Sequence, residues 1–354
     1  MRLFVYGAGF AGKVLVHYFE ICKGKRVDAI LISDGHRELE EYTISKKFME
    51  NRIVPILELS KIEPEKQDQI YLTMVAGKEE VKDCLIKKGF IEEQIFYASE
   101  QIPEYGTEFF QYFYQAYNID LNSDILEFDD VKLYNFTKLD KRFEGTFQGT
   151  LGDDLLPSIY DDNTFAADGP YEMFDVRVKD GCTVLDVGAN LGLFSCYAAS
   201  KGCKVYACDP DRRCIQVLKE QQKLYPEQIK VVPLGLSDSI GKIKFYESED
   251  CGVSSFSLIR GKTVEHEIST DTIDHLVENG TLGKIDFIKA DIEGAERNML
   301  MGAVNTLRTQ APMLSICTYH YPEDPQLLEE IIKNANPQYI VKHAWRKLYA
   351  YVDK

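Results

Sequence analysis

Thr183-Val184-Leu185-Asp186-Val187-Gly188-Ala189-Asn190-Leu191-Gly192 is the stretch that decides the fold of this chain. Val184, Leu185 and Val187 form the apolar run of a strand buried in a parallel sheet. Gly188 and Gly192 let the backbone turn tightly and come close to a ligand, with Ala189 and Asn190 between them. A helix predicted over 193–200 aims its N-terminus at that turn. Asp186, at the strand end, is an acceptor beside it. A ligand with an amino group, a ribose and a cationic centre suits these groups better than a pyrophosphate. S-adenosylmethionine (SAM) has all three. The competing reading is the strand, turn and helix of any α/β protein, because short glycine motifs recur widely.

The residues that follow extend the pattern. A second strand, 204–208, runs into Asp209-Pro210-Asp211. Asp209 lies 21 positions after Gly188 (209 less 188), close to the spacing of about 20 at which an acid meets ribose hydroxyls. A helix is predicted over 212–224, and Asp211 is its better N-cap, which leaves Asp209 for the ribose. A third strand, 229–233, precedes Gly235-Leu236-Ser237-Asp238. Ser237 and Asp238 either hold an adenine edge or form a turn before a strand at 242–246. Residues 250–257 read as a loop, and Thr270-Asp271-Thr272 as a capped helix start. Another strand, 285–291, ends in Asp291-Ile292-Glu293-Gly294-Ala295-Glu296, with a helix over 295–307. A strand at 313–318 leads to Tyr319-His320-Tyr321. A helix near 326–334 and a hairpin of strands 339–343 and 347–352 close the chain. Upstream, Gly169-Pro170 marks a boundary. Glu172, just beyond it, is either a solvated charge or a secondary cofactor ligand.

The first hundred residues carry their own signal. A short strand at 2–6 meets Gly7-Ala8-Gly9-Phe10-Ala11-Gly12, a full G-x-G-x-x-G opening a helix. A strand at 27–33 is followed by Asp34, which comes 27 positions after Gly7 (34 less 7), later than the fingerprint spacing. Strands at 69–75 and 94–97 flank a helix at 78–88. This is about one mononucleotide-binding half, in which Gly7, Gly9, Gly12 and Asp34 either form a nucleotide site or serve helix–strand packing. Phe109, Phe110, Tyr112, Phe113, Tyr114 and Tyr117 then crowd a few helical turns, as core or interdomain packing or as an aromatic ligand box. Residues 121–168 read as part helix and part loop lying over the next domain, where a long irregular segment often covers a substrate. The expected division is 1–102, a connecting segment 103–170, and 171–354.

Composition bounds the function. At 354 residues the chain has room for two domains, and 45% hydrophobic with 28% charged residues is ordinary for a globular protein. A net charge of −16 argues against a nucleic-acid backbone as partner. Nine cysteines without paired CxxC clusters fit a reducing cytoplasm, with Cys196, Cys208 and Cys317 as buried small hydrophobes. No apolar run reaches membrane-spanning length, and the first residues read as a core strand, not a signal peptide.

Together these segments resemble the FkbM family of SAM-dependent methyltransferases, from about Tyr171 onward. The matching residues are Asp186 to Gly192, Asp209-Pro210-Asp211, Leu236-Ser237-Asp238, Ile288 to Glu296, Thr272-Ile273-Asp274 and Tyr319-His320. Asp209 stands where the family more often has glutamate, so the shorter arm must sit closer to the ribose. The resemblance implies a class I methyltransferase doubly wound sheet with an antiparallel last strand, preceded here by a small Rossmann-like α/β domain. It implies SAM as cofactor and O-methylation of a sugar or sugar-like hydroxyl on a small-molecule, glycan or nucleotide-sugar acceptor. The N-terminal part looks like small domains that accompany enzymes of surface-polysaccharide assembly. A non-catalytic SAM or nucleotide-sugar binding protein is the alternative. Asp291 and His320 end neighbouring strands and so face one crevice. His320 is the expected general base, with Asp291 orienting it or acting itself if burial raises its pKa; the bland readings are a helix cap and a loop histidine. Glu293 joins them as a catalytic candidate. Asp291 and Glu293 could share a divalent ion, but two carboxylates are too few to assign a metal.

Overall fold

Strand β1 (Leu3–Tyr6) is buried at every position, as an unbroken apolar run requires of a strand covered on both faces. A computed structural model describes residues 1–35, 41–50, 52–74, 77–139, 143–160, 164–166, 168–248 and 263–353. The chain divides into two units, Met1–Asp120 and Leu121–Lys354. The sequence pattern instead sets 103–170 apart as a connector. In the structure the aromatic helix Tyr105–Ala116 falls in the first unit. Phe109, Phe110, Phe113 and Tyr117 are buried there, and Phe109 packs with His17 and Phe48, so these four are core, while Tyr112 is exposed.

In the first unit β1 is joined by β2 (Ala29–Ile32), β3 (Glu41–Thr43), β4 (Ile53–Glu58), β5 (Gln69–Leu72) and β6 (Ile95–Tyr97). Their order is β3-β4-β2-β1-β5-β6, with only β3 antiparallel. This exceeds the half-fold expected from the sequence. Strand β4 carries Pro55, which lacks an N–H and breaks the pattern by which strands are recognised.

The second unit opens with a hairpin, β7 (Ile125–Phe128) and β8 (Val131–Tyr134), inside the stretch that reads as helix and loop. The hairpin is bonded to the helix Arg212–Leu224 and its C-cap. Lys132 N–H donates to Tyr225 Oη at 2.7 Å, and Tyr134 N–H to Gln221 Oε1 at 2.8 Å. There follow β9 (Thr183–Val187), β10 (Lys204–Cys208), β11 (Ile229–Val232), β12 (Gly235–Leu236), β13 (Gly241–Ser248), β14 (Thr263–Asp271), β15 (Phe287–Ala290), β16 (Met313–Cys317), β17 (Ile340–Ala344) and β18 (Lys347–Tyr351). The main sheet runs β11-β10-β9-β15-β16-β18-β17. Its first five strands are parallel, and β18 is inserted antiparallel to both neighbours. The strand order reverses between β9 and β15, which puts the binding crevice beyond their carboxyl ends. Leu185, Ile288, Leu314 and Leu348 from adjacent strands pack with Met299, Leu328 and Ile332 from the helices.

Three local expectations change. Strand β14 is absent from the sequence prediction, yet it pairs along all of β13. The helix expected over 295–307 divides into Glu296–Met301 and Val304–Thr309. The break is at Gly302, where an added Cβ would stand 2.0 Å from Ser237 O, so the backbone itself is pressed against the neighbouring loop. The loop expected at 250–257 lies outside the described residues.

Gly188 has φ +71°, and a Cβ there would meet Asp291 O at 1.9 Å; Gly181 has φ +72° with nothing within 4 Å. Gly181→Ala should therefore cost only the left-handed backbone term, about 1–2 kcal/mol. Gly188→Ala should lower stability further, because β9 and β15 must also move apart. Equal denaturant midpoints for the two variants would contradict this close approach.

Candidate functional site

The turn after β9 is tied to the next strand. Gly188 N–H and Ala189 N–H both donate to Cys208 O, at 2.9 and 3.0 Å. Asn190 adopts φ +49°, a conformation asparagine tolerates better than most residues. Gly192, at φ +82°, is the N-cap of helix Leu193–Ser200. Asp209, just past β10, faces this turn. Its Oδ2 accepts from Asn190 N–H at 2.9 Å and its Oδ1 from Asp211 N–H at 2.8 Å. Each oxygen keeps a further lone pair for another donor. Burial pushes the Asp209 carboxyl up to about 7, against the pull of those two amides. Asp211 is the helix cap, accepting from Arg213 N–H at 2.8 Å.

Asp186 sits beneath the turn and is 0% exposed. Ser195 Oγ donates to its Oδ2 at 2.6 Å, and Lys289 Nζ lies 3.1 Å from its Oδ1. The same ammonium donates to Gly188 O at 2.6 Å and stands over the Tyr171 ring. Burial works against the charge on Lys289, but Asp186, Asp154 and Asp291 outweigh it and raise its pKa. Asp186 is thus an internal counter-ion supporting the turn, where the sequence places it as an acceptor beside the ligand. Glu172 is also committed internally. Its Oε1 accepts from Val178 N–H and its Oε2 from Tyr197 Oη, both at 2.6 Å.

Asp291 follows β15. Tyr171 Oη donates to its Oδ2 at 2.9 Å and Tyr319 Oη to its Oδ1 at 3.1 Å. Burial alone would raise its pKa, but Lys289, His320, Lys347 and the Tyr171 hydrogen bond hold it below the ordinary value. These groups oppose the rise in pKa on which a role for Asp291 as base depends, and leave it the alternative of orienting His320. Glu293 has φ +55° and is followed by Gly294 at φ +96°, two left-handed residues in succession. His320 brings three carboxylates together: Glu296 Oε1 is 3.3 Å from Nδ1, while Glu293 Oε2 and Asp291 Oδ1 are 3.5 and 3.8 Å from Nε2. Burial disfavours the imidazolium, yet Glu293, Glu296 and Asp291 push it up to about 10. A ring that already carries its proton at neutral pH cannot take one from an acceptor. The three carboxylates around His320 thus favour an ionic role over the general-base role expected from the sequence.

Ser237 and Asp238 follow β12, and Ser237 N–H donates to Asp271 O at 2.9 Å. Ser237 is buried and Asp238 exposed; Asp238 accepts from Ser237 Oγ, Ser239 Oγ and Asn298 Nδ2 at 3.1 to 3.3 Å. In the first unit, a Cβ on Gly12 would meet Gly7 O at 1.9 Å, and Gly7 has φ +106°. Packing and turn geometry account for both. Gly9 has nothing within 4 Å of its added Cβ. Asp34 Oδ1 accepts from Ser60 N–H at 3.0 Å, which lowers its pKa. Sequence reasoning gave no role to Lys289, Tyr171, Tyr319 or Glu296. The lone lysine in the apolar run of β15 was the one available signal, because a charge there must find a partner.

The sheet order β11-β10-β9-β15-β16-β18-β17, with β18 reversed, is that of a class I methyltransferase. Residues 186–339 match the family model described as Methyltransferase FkbM domain, so the C-terminal half of the chain carries an FkbM methyltransferase domain. The chain is 30% identical over 152 residues to hexuronic acid methyltransferase AglP of Haloferax volcanii, covering 42% of this chain and 61% of that protein. It is 27% identical over 189 residues to AMB antimetabolite synthetase AmbE of Pseudomonas aeruginosa, covering 42% of this chain and 8% of the synthetase. The chain therefore spans under two thirds of the length of either curated relative. A crystal structure of methyltransferase FkbM from Methylobacillus flagellatus KT aligns over 99% of this chain and 89% of that one, at 18% identity and TM-score 0.43.

The Lys289–Asp186 pair should behave as a buried ion pair. Lys289→Met leaves Asp186 uncompensated and should cost about 3–5 kcal/mol of stability. Combining it with Asp186→Asn should recover part of that loss in denaturant melts. A double variant as unstable as the sum of the singles would show that the two groups do not couple.

Proposed function

We propose that the C-terminal domain binds SAM along the Gly188–Gly192 turn and transfers its methyl group to a hydroxyl of a sugar-like acceptor. The observation that carries this reading is the Asp209 carboxylate, bonded to Asn190 N–H of the turn at 2.9 Å and keeping acceptor capacity for a ribose. The residues fit the cofactor: a glycine turn, a helix N-terminus behind it and an acid at the adjacent strand end. SAM, when bound, supplies a methyl already activated on a sulfonium centre. The protein's part is then to align the acceptor oxygen, exclude water and manage the proton. Ser237 and Asp238, just past β12, would meet the adenine edge. Asp291, ionised between two phenols and with its side chain 23% exposed, would face the acceptor, with the buried His320 ring 3.8 Å from its Oδ1. With His320 already protonated, alignment and the local field contribute more than base catalysis.

The curated relative that methylates a hexuronic acid makes uronic acids, free or as nucleotide sugars, the first acceptors to try. Among the described residues no helix is long and apolar enough to cross a membrane, and Cys22, Cys84, Cys182, Cys196, Cys203, Cys208 and Cys317 form no disulfide. The cysteines accord with the reducing cytoplasm, where nucleotide sugars for surface polysaccharides are made.

Incubation of the purified chain with methyl-labelled SAM and a panel of uronic acids and nucleotide sugars tests the reading. Label in a sugar product is expected. Tight cofactor binding without transfer to any acceptor would instead favour a binding protein.

The raised pKa of Asp209 gives a pH dependence with a definite sign. Ribose hydroxyls donate, so they prefer the ionised carboxylate, which forms as pH rises through about 7. Affinity for S-adenosylhomocysteine should therefore increase by roughly tenfold between about pH 6 and pH 8. Calorimetry on Asp209→Asn should give weaker binding and a flat profile. A wild-type affinity independent of pH would remove Asp209 from the ribose.

A further inference from the structure

We propose that Asp291, Glu293 and His320 bind a divalent metal ion, through one oxygen of each carboxylate and Nε2 of the imidazole. The three ligand atoms lie within 4.8 Å of one another, a spread that one ion with bonds of about 2.0–2.3 Å can bridge. The His320 side chain is 0% exposed, and among the described residues neither ring nitrogen completes a hydrogen bond. A buried polar ring in that state points to a ligand.

The surroundings choose which nitrogen takes it. Metal-binding histidines usually hand their other N–H to a carboxylate, which sets the tautomer. Here Nδ1 faces Glu296 Oε1 at 3.3 Å. Glu296 is itself fixed by Ile292 N–H at 2.8 Å and Gly294 N–H at 3.1 Å. That leaves Nε2 toward Asp291 and Glu293, where an incoming divalent ion would displace the Nε2 proton and take up its lone pair. A second set within reach, Glu296, His320 and Asp324, is already committed. Arg297 Nε donates to Asp324 Oδ1 at 2.6 Å and Tyr321 N–H to its Oδ2 at 3.0 Å. Each Asp291 oxygen takes one phenol and keeps a lone pair for a metal.

Two carboxylate oxygens and one imidazole suit Mn²⁺ or Mg²⁺, with positions left for water or substrate oxygens. In the role it would play the ion rests on the function proposed above: it would hold an acceptor hydroxyl and a neighbouring oxygen beside the turn. Its binding does not depend on that function.

Titration of the full chain with MnCl₂, following free Mn²⁺ by electron paramagnetic resonance, should show one ion per chain. Glu293→Gln and His320→Gln should each weaken it at least tenfold. Glu296→Gln should weaken it less, and Glu329→Gln on the surface not at all. Thermal melts establish that each variant folds, and Glu293→Gln, the milder change, carries the test if His320→Gln does not. Failure of the wild type to take up a stoichiometric ion, or unchanged binding in folded Glu293→Gln, would overturn the site. Mn²⁺ binding without methyl transfer to any acceptor would leave the ion site standing and overturn the proposed function; transfer without Mn²⁺ binding would do the reverse.

Discussion

Strands β9 and β15 approach so closely at their carboxyl ends that position 188 has no room for a side chain: a Cβ there would lie 1.9 Å from Asp291 O. This contact is where the sheet order reverses, and the rest of the candidate site is hung on it. The turn can leave the sheet only with a left-handed glycine, and that glycine's carbonyl then points at the ammonium of Lys289. The ammonium in turn neutralises Asp186 inside the core. Backbone crowding, one lysine and one aspartate therefore hold the Gly188–Gly192 turn and the Asp291 loop in a common frame.

Above that frame the chemistry is set by an excess of carboxylates near few cations. Asp291, Glu293 and Glu296 surround one imidazole, and two tyrosines donate to Asp291. Such a group keeps its histidine charged and its aspartate ionised. It is poorly suited to pulling a proton from a sugar hydroxyl and well suited to holding positive charge. Asp209 behaves in the opposite way, because burial without a nearby cation in contact raises its pKa. Two aspartates at the ends of the strands on either side of β9 thus differ in charge state through their surroundings alone.

The first unit shows the limits of a motif. The glycine fingerprint stands in its proper strand–turn–helix setting, yet Gly7 and Gly12 are explained by packing of one against the other. The sheet around them is a five-stranded parallel array edged by an antiparallel strand, more than the half-fold its apolar runs announce.

What the amino-acid sequence determined alone is whatever rests on local pattern. Apolar runs placed the strands that became β9, β10, β11, β15 and β16, and the closing pair that became β17 and β18. The spacing of Asp209 from Gly188 placed an acid beside the turn, and Asp211 was recognisable as a cap because capping needs only the next few residues. The tertiary structure alone decided what depends on partners distant along the chain. Lys289 meets Asp186 across 103 positions (289 less 186), and Tyr171 meets Asp291 across 120. Glu296 turns out to stand 3.3 Å from His320 Nδ1, and β14 is a strand because β12 and β13 lie beside it. Protonation follows the same division, since a pKa is fixed by charges and burial that no local window contains. That is why the strand ends around the crevice were legible in the sequence while the surroundings of His320 were not.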